Sequence, residues 1–185
     1  MILNKHSNLE GQHAFLGAST YSWLNYDEEK LTTVYLNNLA KQRGTELHEF
    51  AATCIRLGQK LRGSSQTLNL YVNDAIGFGM SPEVILYYSD NIFGTADALL
   101  FKGDTLRIHD LKTGITEAHF QQLQIYDALF CLEYKIKPGE IKHIHRIYQY
   151  DQKFEQESTA DDIIPIMNKI VQFDKIIENL KEREA

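Results

Sequence analysis

The chain has 185 residues, 43% of them hydrophobic and 24% charged, and its formal net charge is −6. This composition is ordinary for a globular protein and argues against a disordered chain. No run approaches the roughly 18 apolar residues that a membrane span needs, and the first residues lack the apolar stretch and cleavage site of a secretory signal. We therefore expect a single domain over residues 1–185 and no membrane partner.

Helical patterns dominate the N-terminal half. Ser and Thr open the segment LGASTYSWLNYDEEKLTTVYLNNLAKQRG, which predicts short helices with favourable N-caps. In the next segment, GTELHEFAATCIRLGQKL, apolar residues recur at the three-and-four spacing of an amphipathic helix. TLNLYVNDAIGFGM predicts a further short helix that ends in a glycine-rich turn.

Strand patterns follow in the C-terminal half. EVILYYS, NIFGTADALLF and DTLRIHDLK are short runs rich in β-branched and aromatic residues, which predicts a three-strand meander. TEAHFQQLQIYDALFCLEYK predicts a helix, EIKHIHRIYQY a fourth strand, and ADDIIPIMNKIVQFDKIIENLKEREA a closing helix interrupted near Pro165. This order predicts an α/β fold with a central mixed sheet flanked by helices.

The two cysteines, Cys54 and Cys131, lie among apolar residues of predicted helices. We interpret them as reduced core residues rather than a disulfide, and two thiols cannot supply the four ligands of an iron–sulfur cluster. The cytoplasm is therefore the expected setting, in a bacterium or in a phage-infected host cell.

Two of the predicted strands carry charged residues, although burying an unpaired charge in a strand is costly. Alternation along TLRIHDLK puts Leu106 and Ile108 on one face with Asp110 and Lys112. If the second and third strands pair as a hairpin, Asp97 can approach Asp110, and two such carboxylates repel unless a proton or cation lies between them. Mg²⁺ or Mn²⁺ suits a small set of oxygen ligands, and a nearby Lys can orient an attacking water or stabilise charge on a phosphate. The pattern suits metal-assisted hydrolysis of a phosphodiester. Standing alone, it is better explained as an ordinary exposed Asp–Lys pair beside a strand-end Asp, because the pattern is short and common.

Four segments in order, RGTELHEFA, FGTADALLF, LRIHDLKTG and QLQIY, resemble the PD-(D/E)xK nuclease superfamily. They are most similar to its RecB-type branch and its stand-alone, phage-type exonucleases, over about residues 40–150. The branch has a Gly-x-x-x-His helix, a Gly-x-x-Asp strand, an Asp-x-Lys-Thr-Gly strand end and a Gln-x-x-x-Tyr helix. The matching positions here are Gly44 and His48, Gly94 and Asp97, Asp110 with Lys112, Thr113 and Gly114, and Gln122 and Tyr126. The chain departs from the family in having Thr-Ala-Asp for Pro-Asp, an Asp for the second acid, and no four-cysteine set.

The resemblance implies a restriction-endonuclease-like core and a role for each matching residue. The metal ligands would be His48, Asp97, Asp110 and the backbone carbonyl of Leu111. Lys112 would position or activate the water, and Gln122 and Tyr126 would contact the phosphate or order the site. The implied cofactor is Mg²⁺ or Mn²⁺, and Gln122 and Tyr126 lie four residues apart, on one helix face.

The implied activity is a divalent-metal-dependent deoxyribonuclease, expected to be an exonuclease, in DNA recombination, repair or phage DNA processing. DNA is the expected partner, and a helicase, an annealing protein or another recombination factor is a further candidate partner. Any processive unwinding would need such a partner or an oligomer of the chain. The alternative is a nuclease-like domain that binds nucleic acid or protein without cutting. A third reading, an α/β binding domain with no role on nucleic acid, draws on the acidic net charge but leaves the ordered motifs unexplained.

The fourth predicted strand is mildly basic, which would help it follow a phosphate backbone. His143 and His145 share one face of it at i,i+2 spacing, a pattern that also occurs in zinc sites. Because neither a cysteine nor a third histidine accompanies them, we predict a polar outer face for this strand rather than a metal site.

Overall fold

The computed structural model describes residues 4–184, which divide into two compact units, one up to Gly44 and one from Thr45 onward. The first unit holds two short 3₁₀ segments, Ser7–Leu9 and Ala18–Asn25, and the first turns of helix α1 (Glu28–Leu57). Asp27 starts α1, because its side chain accepts a hydrogen bond of 2.7 Å from the backbone N–H of Lys30.

Helix α1 is longer than predicted. The sequence predicts short helices followed by a separate helix near Gly44, but α1 continues through Gly44 without a break. A glycine inside a helix costs only about 1 kcal/mol relative to alanine. Gly44 alone therefore does not end the helix, because neither a left-handed backbone nor a proline accompanies it.

A five-stranded mixed sheet forms the centre of the second unit. Its strands are β1 (Ser81–Ser89), β2 (Ile92–Lys102), β3 (Thr105–Leu111), β4 (Lys142–Gln149) and β5 (Gln152–Ser158). They lie side by side in chain order; β3 and β4 are parallel and every other pair is antiparallel. The predicted meander and fourth strand are confirmed, and the α/β class with them.

The predicted number of strands, four, is wrong. The fifth strand has the sequence QKFEQES, in which a single apolar residue stands among polar ones. A strand at the edge of a sheet has only one hydrogen-bonded neighbour and is often charged, which prevents pairing with other chains. The composition of β5 therefore gives no strand signal.

Helices cover both faces of the sheet. Helix α3 (Gln121–Tyr134) makes the crossover between the parallel strands and packs with α4 (Ala160–Glu184) on a core that contains Leu106, Ile108 and Leu129. Helix α2 (Thr67–Phe78) and the last turns of α1 pack on a second core built around Tyr71 and Tyr148. Cys54 and Cys131 are buried and free, as predicted.

The closing helix is not interrupted at Pro165. Helix α4 runs from Ala160 to Glu184 with Pro165 in its second turn. A proline so close to the helix N-terminus removes one backbone hydrogen bond but leaves the following turns intact. None of the described helices is long and apolar enough to cross a membrane.

Candidate metal centre

Three carboxylates from neighbouring strands come together at one place in the sheet. The register of β2 with β3 pairs Ala98 with His109, so one step further along Asp97 lies opposite Asp110. The register of β1 with β2 passes through the same point and places Glu83 opposite Asp97. Like charges directly opposite one another destabilise a sheet, so this row needs protons or a cation to compensate it.

Asp97 is held from two sides. His48, on α1, lies with its Nδ1 3.3 Å from Asp97 Oδ1. The backbone N–H of Leu111 donates a hydrogen bond of 2.8 Å to the other oxygen, Oδ2. The hydrogen bond to Asp97 raises the pKa of His48 above its usual value, although partial burial opposes the shift. A cation that takes His48 Nδ1 as a ligand therefore competes with the proton of this hydrogen bond.

Asp110 is the most buried of the three acids, at 2% exposure. Lys112 Nζ lies 3.0 Å from both of its oxygens and donates a hydrogen bond to Oδ1. The other oxygen, Oδ2, is buried and accepts no hydrogen bond from the described residues. Burial, followed by repulsion from Asp97, raises the pKa of Asp110 to about 6, although Lys112 opposes the rise.

A chain of polar contacts runs from Lys112 to helix α3. Lys112 Nζ donates a hydrogen bond of 2.7 Å to Gln122 Oε1, and Gln122 Nε2 donates one of 2.9 Å to the Tyr126 hydroxyl. The spacing of four residues places Gln122 and Tyr126 on the same helix face. The ammonium group is therefore fixed between a carboxylate and an amide.

Gly94 allows Tyr126 to approach the sheet. A Cβ atom built at Gly94 would lie 2.8 Å from Tyr126 Cε1, a distance at which one group has to move. The absence of a side chain at Gly94 therefore leaves room for the aromatic ring. This explains physically why a glycine occupies this position of the Gly-x-x-Asp pattern.

Glu83 is the residue that the sequence patterns miss. Its carboxylate, His48 and Asp97 each offer a ligand atom, and these atoms lie within 4.8 Å of one another. Its backbone has φ of +52°, in the left-handed region, where a residue other than glycine is strained by about 1 kcal/mol or more. Burial and the nearby Asp97 raise its pKa. Only the register of β1 on β2 identifies it, because in the sequence it is one acid at the start of a strand.

The seven residues predicted for the site fall into two sets of contacts that adjoin at the end of β3. One set is His48, Asp97 and Leu111, and the other is Asp110, Lys112, Gln122 and Tyr126. Asp110 is not part of the group formed by the ligand atoms of His48, Glu83 and Asp97. Leu111 differs from the others in that its side chain is buried in the core and its backbone reaches Asp97. The donors are carboxylate oxygens and one imidazole, and one buried carboxylate oxygen lacks a hydrogen bond. Oxygen donors of this kind, with water completing the shell, suit Mg²⁺, and the added imidazole also suits Mn²⁺.

The prediction of a polar outer face on β4 is wrong. His143 and His145 are buried, and both donate to the carboxylate of Asp127, at 2.8 Å from its Oδ2. His143 also faces the carbonyl oxygen of Pro138 through Nε2, at 2.8 Å. Both of its ring nitrogens therefore meet acceptors, which requires the doubly protonated form and a charged pair with Asp127.

Strand β4 also offers little basic surface near the carboxylates. Lys142 pairs with Thr105, at the opposite end of β3 from Asp110. Arg146 is bound to Asp74 and Glu155 by ion pairs. The suggestion that this strand follows a phosphate backbone is therefore not supported by its charges.

Comparison of the chain with family models, with curated proteins and with solved structures finds no match.

Proposed function

We propose that this chain is a divalent-metal-dependent deoxyribonuclease with a restriction-endonuclease-like core. The observation that supports the proposal best is the state of Asp110: it is buried beside another carboxylate, and its Oδ2 has the Lys112 ammonium at 3.0 Å as an ion-pair partner but accepts no hydrogen bond from the described residues. Two neighbouring carboxylates, one of them buried, are costly when a single ammonium group compensates them, and a cation between Asp97 and Asp110 would remove that cost.

The ligands of the proposed cation are His48, Asp97, Asp110 and the carbonyl oxygen of Leu111, with Glu83 beside them. When bound, the cation would supply Lewis-acid stabilisation of charge on the phosphate and lower the pKa of a coordinated water. The bond from the Leu111 N–H to Asp97 joins the middle of β2 to the end of β3. It therefore fixes the spacing of the two ligand strands before substrate arrives.

Lys112 has the role of positioning the attacking water and stabilising the developing charge. Its ammonium group is held by Asp110 and Gln122 within hydrogen-bonding distance of each. Preorganised charge of this kind needs no rearrangement during the reaction. Tyr126 orders Gln122 through its hydroxyl and so orients the ammonium group indirectly.

DNA is the proposed substrate, with exonuclease action in recombination, repair or phage DNA processing. This assignment rests on the four ordered segments and on the way the fold connects them: the histidine helix, the two acidic strands and the Gln-Tyr helix meet at one point.

A cleavage assay tests the proposal. End-labelled duplex, single-stranded and branched DNA would each be incubated with the purified chain in Mg²⁺, Mn²⁺ or EDTA. We expect cleavage in at least one metal, none in EDTA, and none for Asp110→Asn; Asp104→Asn, an exposed acid on the β2–β3 turn, is the matched control and should cut normally. A chain that binds DNA but leaves every substrate intact would instead be a non-cutting nuclease-like domain.

A further inference from the structure

A cleft opens beside the candidate centre, on the side of Lys112 and Gln122. A shallow part of about 380 Å³ contains Lys112 and Gln122, and a deeper part of about 670 Å³ continues from it. The two parts share the wall formed by residues 117–119, Gln121 and Gln149. A group bound in the deeper part would therefore be adjacent to whatever Lys112 contacts.

The chemistry of the deeper part does not suit a phosphate. Its walls carry four glutamine amides, three aromatic rings, the carboxylate of Glu117 and the imidazole of His119, and no Lys or Arg among the described residues. The amides and rings are those of Gln121, Gln124, Gln149, Gln156, Phe120, Tyr150 and Phe154. An uncharged, planar ligand with hydrogen-bonding edges fits such walls, because aromatic side chains stack on it and amides can both donate and accept.

Hydrogen bonds hold the loop that forms one wall of the cleft. Gln149 Nε2 donates to the carbonyl oxygens of Gly114 and Thr116, and its Oε1 accepts from the backbone N–H of Ala118. The Tyr150 hydroxyl donates to the carbonyl oxygen of Ile115. The loop that follows β3 is thus tied to the end of β4, and these bonds hold the wall of the cleft in place.

The back of the cleft is fixed by the buried histidine network. Gln124 and Gln156 each donate one amide hydrogen to Ser158 Oγ at 3.4 Å. The Ser158 hydroxyl lies 3.2 Å from His145 Nδ1, and His145 in turn donates to Asp127. Each of the two amides keeps its carbonyl oxygen and a second N–H without a partner among the described residues. Together they offer donors and acceptors to a ligand edge.

We propose that this cleft receives one unstacked nucleobase of single-stranded DNA, from the nucleotide next to the phosphate at Lys112. The inference rests on the proposed nuclease function and names the substrate class: a strand whose bases are free to leave the stack. A paired duplex would have to unstack and unpair that nucleotide first, at a cost of a few kcal/mol, so single-stranded DNA or a frayed end is preferred.

Binding of a fluorescent oligonucleotide tests the proposal. Every protein would carry Asp110→Asn so that the DNA stays intact while Lys112 is kept, and 2-aminopurine would be placed at each position of a short single strand in turn. We expect a fluorescence change at one position only. An abasic nucleotide at that position should weaken binding about tenfold, since stacking of one base on aromatic side chains is worth this much or more.

Variants of β5 assign the effect to the cleft. Gln156→Leu should remove the position-specific signal and weaken binding to the same extent as the abasic nucleotide. Glu157→Leu, its neighbour on the opposite face of β5, is the matched control and should bind normally. His119→Ala should also weaken binding of the oligonucleotide. Because His119 is an exposed loop residue that lines the cleft, weaker binding by this variant cannot be attributed to unfolding.

Binding that depends on no particular base, no binding of single-stranded DNA, or equal binding of a mononucleotide would overturn the proposal. If the native chain cuts DNA while no base position is special, the nuclease function stands and the cleft assignment fails. If one base position is special but the native chain never cuts, the cleft assignment stands and the nuclease function fails.

Discussion

Replacing Asp110 by Asn should make the metal-free protein more stable while it abolishes activity. Burial raises the pKa of Asp110 from 3.8 to about 6, and at about 1.4 kcal/mol for each pH unit this corresponds to about 3 kcal/mol. The folded state holds its proton more tightly than the unfolded state does. The stabilisation by that proton is therefore complete below pH 4 and is lost as the pH rises to 6.

The neutral amide of Asn imitates the protonated acid at every pH. In EDTA, urea unfolding should therefore show Asp110→Asn and the native chain equally stable near pH 4. At pH 7.5 the variant should be more stable by about 3 kcal/mol. Excess Mn²⁺ should stabilise the native chain at pH 7.5 and leave the variant unchanged. An Asn variant that is less stable than the native chain at pH 7.5 in EDTA would refute the reasoning, because the ionised carboxylate would then carry no cost for a cation to relieve.

Three further substitutions probe other parts of the site. Gly94→Ala should displace the Tyr126 ring, because the new Cβ would lie 2.8 Å from Tyr126 Cε1. We expect kcat to fall about tenfold or more and Mn²⁺ affinity to stay the same. An unchanged kcat would contradict the role given to this contact. Glu83→Gln should weaken Mn²⁺ binding about tenfold to a hundredfold, measured by calorimetry, and equal affinity would remove Glu83 from the centre. Asp127→Asn leaves two buried histidines without their carboxylate and should lower the free energy of unfolding by about 3–5 kcal/mol, measured in urea; a loss below 1 kcal/mol would show that the network is not charged.

The strands that alternate clearly were predictable from sequence. In β3, Leu106 and Ile108 are fully buried, as the alternation predicts, and the same alternation delivers Asp110 and Lys112 to the strand end. Edge strand β5 was not predictable, because it is held in the sheet by pairing with β4, while its own residues are mostly polar and exposed. The residue types of a strand do not reveal which other strand will pair with it.

The missed and misplaced polar residues share one cause, which is long-range pairing. Glu83 becomes a member of the site only because β1 pairs with β2 in one particular register. His143 and His145 were expected on an outer face, but β4 lies between two strands and its residues are buried on both sides. Their partner, Asp127, lies on α3, and no spacing pattern connects a helix carboxylate to two strand histidines.

Lys112→Ala separates metal binding from catalysis and so tests the central proposal most directly. Mn²⁺ affinity and single-turnover cleavage of labelled DNA would be measured on the same samples of native chain, Lys112→Ala and Asp110→Asn. We expect Lys112→Ala to bind Mn²⁺ as the native chain does and to lose cleavage by about a thousandfold, on the order of one preorganised charge stabiliser, whereas Asp110→Asn loses both. Cleavage by Lys112→Ala at the native rate, or no cleavage by the native chain in either metal, would contradict the proposal.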